Sequence, residues 1–205
     1  MELYFSPLAC SLAARIALYE AGLEATFVRV DPRTKRLSDG RDYRDVHPLG
    51  LVPALRTEDG TLLTESAAVL QHIAERSPSA AASRPHELRQ WLSFIGTELH
   101  KGTFAVLFDP TAPDEAKRYA TEKGRPRLAH IDAHMRGREH VLDVHSVADG
   151  YLYTVLNWAL ATPIGLADYP ALKAFHARMK ERPSVARAFA EELPLYQAEQ
   201  ARAKA

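Results

Sequence analysis

Strand-forming segments crowd into the first third of this chain and then stop. Up to about Ser77-Pro78, β-like and helical stretches alternate. Leu3 to Phe5 reads as a strand, and Leu12, Ile16, Tyr19 and Leu23 then recur at helical spacing from Ser11. Ala25 to Val30 is rich in β-branched and aromatic residues. Val52 to Thr57 and Thr61 to Leu63 flank Glu58-Asp59-Gly60, a hairpin signal, and Glu65-Ser66 opens a helix running from Ala67 to Arg76. The order β-α-β, a connection, then β-β-α predicts a small mixed sheet with helices packed on it.

From about His86 the apolar period changes to three and four. Trp91, Phe94, Ile95 and Leu99 begin it, Leu128, Ile131 and Met135 continue it, and Leu152 to Leu160 make the most apolar helix. Leu172, Phe175, Met179, Val185 and Phe189 complete a helical half. Ser146-Val147-Ala148-Asp149 has the form of a capping box for the central helix. The stretch from Pro78 to Pro85 holds small residues and prolines with no apolar period, which reads as a linker. The expected organisation is an α/β domain over 1–78, a linker over 79–86 and an all-α domain over 87–205.

Charge and cysteine usage exclude several classes. Lys+Arg and Asp+Glu both number 26, so there is no basic face for nucleic acid and no polybasic membrane anchor. Basic residues cluster locally, as in Arg33-Thr34-Lys35-Arg36, a solvated loop or a holder of one carboxylate. The chain has one cysteine, which excludes an intramolecular disulfide framework and a zinc-ribbon site and suits a reducing compartment. Met1-Glu2 is not followed by a basic region and a long apolar run, so no secretory signal is expected, and no apolar run approaches a membrane span. The expectation is a soluble, cytoplasmic protein with no metal.

The lone Cys10 follows the first strand and stands where the first helix begins. A helix N-terminus presents unpaired N–H groups and positive potential, which favour a thiolate; a buried structural cysteine is the alternative. Three further features converge on it. Pro53 at the head of an apparently central strand is unfavourable unless the strand is an edge there or the Val52–Pro53 bond is cis. A cis bond would turn the Val52 backbone outward to pair with an extended, peptide-like ligand. Ser66 and the N–H groups of its helix suit a carboxylate and Glu65 suits an ammonium, matching the two ends of an α-amino acid, although Ser66 could simply cap the helix. In Glu98-Leu99-His100-Lys101, His100 and Lys101 could support a thiolate if that helix lies over the cleft, or could simply line an amphipathic face.

Taken together, these residues resemble the cytosolic glutathione transferase family, most closely its bacterial beta class. The resemblance is carried by Tyr4-Phe5-Ser6-Pro7 with Ala9-Cys10-Ser11, Thr34-Lys35 ahead of Asp39-Gly40, and His47 through Leu55. It continues in Leu63-Thr64-Glu65-Ser66, Glu98 through Gly102, Ser146 through Asp149 and Asn157-Trp158, in order along nearly the whole chain. It implies a thioredoxin-like (βαβ-ββα) first domain with cis Pro53 beside Cys10, then an all-α domain on the electrophile side of a cleft. It also implies glutathione as co-substrate and a homodimer. Carried over residue by residue, Cys10 would sit beside glutathione and Ser11 would donate to its sulfur. Val52 would pair with its cysteinyl backbone, Glu65 and Ser66 would take its γ-glutamyl end, and Lys35 its glycine carboxylate. His100 and Lys101 match a second-domain pair near the thiol, and Ser93 a polar ligand contact. The chain departs from the family at His47 and Leu51, and at Gly124 and Pro126, which should weaken or kink a helix. The segment 139–145 is also short and lacks a glycine turn.

The leading expectation is therefore an enzyme conjugating the glutathione thiolate to small hydrophobic electrophiles. Thiol-transferase or peroxidase activity through a Cys10 mixed disulfide would accompany it, with glutathione resolving that disulfide because no second cysteine exists. The alternative is a non-enzymatic ligand carrier or regulatory partner that kept the fold. A glutaredoxin-like reductase is disfavoured by the helical half and by Cys10-Ser11-Leu12-Ala13, which lacks a Cys-x-x-Cys pair.

Overall fold

The apolar run Leu3-Tyr4-Phe5 forms strand β1 (Glu2–Phe5), fully covered on both faces, as a central strand must be. The computed structural model describes residues 1–77 and 84–204. Helix α1 (Ser11–Ala21) follows and stops at Gly22, whose φ of 65° turns the chain so that the Leu23 N–H reaches back to the Leu18 carbonyl at 3.0 Å. Strand β2 (Thr26–Arg29) returns parallel to β1, with Leu3 opposite Phe27. Strands β3 (Ala54–Arg56) and β4 (Leu62–Thr64) form the expected hairpin around Asp59-Gly60, and β3 runs antiparallel to β1 with Leu55 opposite Leu3. The sheet order is β2-β1-β3-β4, and helix α2 (Ser66–Glu75) leads away from β4. This is the thioredoxin-like mixed sheet that the sequence predicts.

Strand β3 is shorter than its apolar run, starting only at Ala54. Pro53 has no N–H to give the ladder, and the Val52 carbonyl is engaged elsewhere, so pairing begins one residue later. The loop between β2 and β3 is anchored by Tyr43, which is fully buried with Tyr4, Val30, Leu37 and Ala54.

The chain divides into two compact units, Met1–Pro78 with Arg182–Ala205, and Ser79–Glu181. The sequence reading put 182–205 with the helical half; the last helix, α8 (Pro183–Lys204), instead groups with the first unit. Ion pairs explain why: Arg15 meets Glu191 and Glu192, Arg29 meets Glu199, and Arg182 meets Glu20. Most of the expected linker, 79–83, lies outside the described residues; Arg84 precedes α3 (Pro85–Phe94), which takes proline at its first position.

In the second unit α3 passes into a π-helical stretch, Ile95–Phe104, and a short α4 (Ala105–Phe108). Helices α5 (Asp114–Met135), α6 (Val147–Leu160) and α7 (Pro170–Lys180) complete it. Helix α6 is buried almost throughout, as its apolarity predicts, and the capping box is present: the Asp149 carboxylate accepts from the Ser146 N–H at 2.8 Å. The expected weakness at Gly124 and Pro126 does not break α5. Gly124 is required there, because an added Cβ would overlap the Thr103 side chain of the π-helical stretch. Gly102 is confined likewise, its missing Cβ falling 2.8 Å from the Thr97 carbonyl oxygen. No described helix is long and apolar enough to cross a membrane.

Candidate active site

All the loops that carry the predicted first-domain residues leave the sheet at one end. Pairing stops at Phe5 opposite Arg29, at Tyr4 opposite Ala54, and at Ala54 opposite Thr64. The chain leading to Cys10, the loop bearing Lys35, the Val52–Pro53 peptide and Glu65-Ser66 therefore emerge side by side.

Cys10 is held by a turn that Ser6 organises. The Ser6 hydroxyl donates to the Val30 carbonyl at 2.8 Å, and the Ala9 N–H closes the turn on the Ser6 carbonyl at 3.1 Å. Ser11 stitches the same turn: its hydroxyl accepts from the Ser6 N–H and donates to the Ser6 carbonyl, at 3.2 and 3.1 Å. Ser11 is wholly buried and its proton is used, so it does not offer a donor to a bound sulfur as the resemblance implied. Its hydroxyl fixes the turn instead.

Cys10 caps α1, and no acidic residue in the first turn offsets the positive end of the helix. The thiol is buried and donates to the Val52 carbonyl at 3.0 Å. The Val52–Pro53 bond is cis, as anticipated. Among the described residues nothing accepts from the Val52 N–H. One residue earlier, the Tyr43 hydroxyl donates to the Leu51 carbonyl at 2.9 Å; burial raises that phenol's pKa, so it stays a donor.

Lys35 and Glu65 both sit in left-handed backbone, with φ of 57° and 67°. The Lys35 stem crosses Gly50, 3.2 Å from where a Cβ would stand, so glycine at 50 leaves the lysine its path beside the Val52 loop. Glu65 is exposed at the head of α2 and makes no capping bond, while Ser66 is buried in the first helical turn. Ser66 is thus inside the helix rather than its cap.

The helical-unit candidates have a different character. His100 is buried in the π-helical stretch, its Nδ1 2.8 Å from the Tyr151 hydroxyl and its ring edge-on to Trp158. Burial, then the charge of Lys101, pushes its pKa down to about 4. It is therefore neutral at pH 7 and carries no positive charge to support a thiolate, contrary to the sequence reading. Lys101 is exposed, and Ser93 is exposed with its carbonyl accepting from the Thr97 hydroxyl. Sequence reasoning missed the groups behind Cys10, namely Leu8, Arg15 and Glu192, because nothing local in an amphipathic helix announces a partner far away in the chain.

A family model for the glutathione S-transferase N-terminal domain matches residues 9–76, and one for the C-terminal domain matches 97–192. The chain belongs to the glutathione S-transferase family. Glutathione S-transferase GstA of Escherichia coli O157:H7 is 40% identical over 192 residues, spanning 90% of this chain and 95% of that protein. A sphingomonad glutathione S-transferase solved in complex with glutathione superimposes with a TM-score of 0.88 at 40% identity, covering 94% of this chain and 98% of that one. The bacterial beta-class glutathione S-transferase of Sphingomonas chungbukensis gives a TM-score of 0.85 at 38% identity, covering 94% and 98%. The protein is thus a glutathione transferase of beta-class type, and its sequence departures leave the Cys10 turn and the Val52–Pro53 peptide in place. At His47 the ring packs edge-on against Tyr43 and the carbonyl accepts from the Gly50 N–H at 2.7 Å, shaping the loop ahead of Leu51.

Proposed function

We propose that this transferase binds glutathione along the open end of its sheet and conjugates the glutathione thiolate to small hydrophobic electrophiles. The observation that carries this reading is the convergence of Cys10, the cis Val52–Pro53 peptide and Glu65-Ser66 at one sheet end. The Val52 N–H is available for an extended ligand backbone. Ser66 and the α2 N-terminus suit the γ-glutamyl carboxylate, the exposed Glu65 suits its ammonium, and Lys35 suits the glycine carboxylate. The working form is a homodimer.

In conjugation the glutathione sulfur gives its electron pair to the electrophilic carbon, the leaving group departs with the bonding pair, and the thiol proton goes to water. The positive end of α1 steadies the sulfur's charge. In disulfide exchange the Cys10 thiolate attacks the glutathione sulfur of a mixed disulfide and the partner thiolate leaves. A second glutathione thiolate then attacks the Cys10-bound sulfur, restoring the Cys10 thiolate and releasing glutathione disulfide. The Val52 carbonyl links the two events. It accepts from the Cys10 thiol in the free protein, and a ligand N–H placed there competes for it, freeing the thiol to ionise.

Calorimetric titration with reduced glutathione tests the site. Saturable binding weakened by Glu65→Ala and by Ser66→Ala is expected; folded protein that binds no glutathione refutes the reading. Thiolate absorbance near 240 nm should rise when S-methylglutathione binds, and an unchanged signal would remove the competition at Val52.

A further inference from the structure

Glu192 takes no part in the chemistry above, yet its carboxylate is fully buried directly behind the Cys10 turn. It reaches from α8, and one oxygen accepts from the Leu8 N–H at 2.7 Å. Leu8 occupies the third position of the Ser6–Ala9 turn with φ of 57°, a conformation that favours glycine over any residue bearing a Cβ. A leucine held there needs an outside restraint, and the carboxylate supplies one.

The carboxylate is itself braced. Its other oxygen lies 3.0 Å from Arg15 Nε, outside hydrogen-bonding direction, so that attraction is ionic. The Arg15 guanidinium lies over the rings of Phe5 and Phe27, at 4.3 and 4.1 Å, and its Nη1 donates to Glu191 at 2.9 Å. Glu191 in turn accepts from Tyr19 and Arg187. We propose that Glu192 is a positioning residue for Cys10: by holding the Leu8 N–H it sets the turn that aims the thiol at the Val52 carbonyl.

A second consequence concerns acidity. Burial raises the Glu192 carboxyl, Arg15 and the Leu8 N–H oppose that, and Glu191 adds to it, leaving a pKa of about 7. The braced, ionised form and the looser, protonated form then interchange near neutrality. The proposal concerns the pose of the thiol and holds whether or not Cys10 takes part in transfer.

Cys10 is the sole cysteine, so alkylation by iodoacetamide followed by intact mass reports it alone. Rates are measured from pH 5 to 9 on the full chain, after circular dichroism confirms folding. The wild type should show an inflection near pH 7 in addition to the thiol's own ionisation. Glu192→Gln, which keeps an oxygen acceptor but no titration, should lose that inflection. Glu192→Leu, with no acceptor, should change the rate at every pH by roughly fivefold, the scale of one lost hydrogen bond. Superimposable profiles for wild type and Glu192→Leu would overturn the proposal, and superimposable profiles for wild type and Glu192→Gln would remove the acidity consequence. Should the leucine variant not fold, NMR of the wild type decides independently. The Leu8 amide and the Cys10 Cβ should titrate together near pH 7, and a Cys10 signal that ignores the Leu8 transition would overturn it.

Discussion

Strain and closure are divided between the two units. The described non-glycine residues with left-handed backbone are Leu8, Lys35 and Glu65, and all three belong to loops leaving one end of the first unit's sheet. The helical unit has left-handed backbone only at Gly137 and Gly165 among its described residues. It is sealed by side-chain fit instead: Gly124 against Thr103, His100 against Tyr151 and Trp158, Asp149 on the Ser146 N–H. Disfavoured backbone persists where surrounding structure insists on it, and such positions gather at functional sites. On the proposed reading, recognition is built on backbone in the first unit, while the second unit relies on packing.

Removing the thiol should give the largest effect. Cys10→Ala is expected to lower thiol–disulfide exchange at least about a hundredfold, the scale of losing a nucleophile, and to leave conjugation within about twofold. Parallel assays with a glutathione mixed disulfide and with an aryl halide check this. Equal loss of both would make Cys10 part of the conjugation chemistry, and loss of neither would end its catalytic role.

Proton linkage separates the units next. Burial holds His100 at about 4, below the value near 6.5 of an unfolded chain, so the fold disfavours its protonated form. Its contribution is present above pH 6.5 and is lost as pH falls toward 4, on the order of 3 kcal/mol. Glu192 has the opposite sign. With its folded value near 7 and an unfolded value near 4.5, its contribution is full below 4.5 and is lost as pH rises through 7, by a similar order. Urea unfolding from pH 4 to 8 should show His100→Phe flattening the acid limb and Glu192→Gln flattening the neutral limb. Unchanged limbs would contradict the assigned burial of these groups.

Gly124→Ala forces a Cβ against Thr103 and is expected to cost about 1–3 kcal/mol of stability with little change in glutathione affinity. A large fall in affinity with stability intact would reverse the proposed division of labour. The smallest effect, and the sharpest, concerns Glu65. Glu65→Gly relieves left-handed backbone and should stabilise the fold by about 1 kcal/mol while weakening glutathione binding roughly tenfold. Thermal melts and calorimetry on one sample check both, and a variant that gains stability without losing affinity would separate the strain from recognition.

Local signals were legible in the sequence and distant pairings were not. The hairpin at Asp59-Gly60, the capping box at Ser146 and Asp149, and the cis peptide before Pro53 each depend on residues a few positions apart, and each is present. Helix α8 shows why the rest was hidden. Its amphipathic pattern states that one face is covered, but Glu192 and Glu199 find Arg15 and Arg29 only through tertiary structure. The π-helical stretch escaped because apolar steps of three and four do not reveal a widened turn, which here is accommodated by the missing Cβ of Gly102. Ser11 looked like a free donor beside a thiol, and only the path of the Ser6 turn shows that its proton is already used.

The allegiance of α8 also bears on synthesis. Arg15, 4% exposed, leaves the ribosome early, whereas its partner Glu191 is made 176 residues later. Until then the guanidinium that packs on Phe5 and Phe27 in the finished fold has no Glu191 or Glu192 to pair with. Residues 79–181 are complete before that moment, so on a translating ribosome the helical unit can close first. The segment begun earliest is finished last.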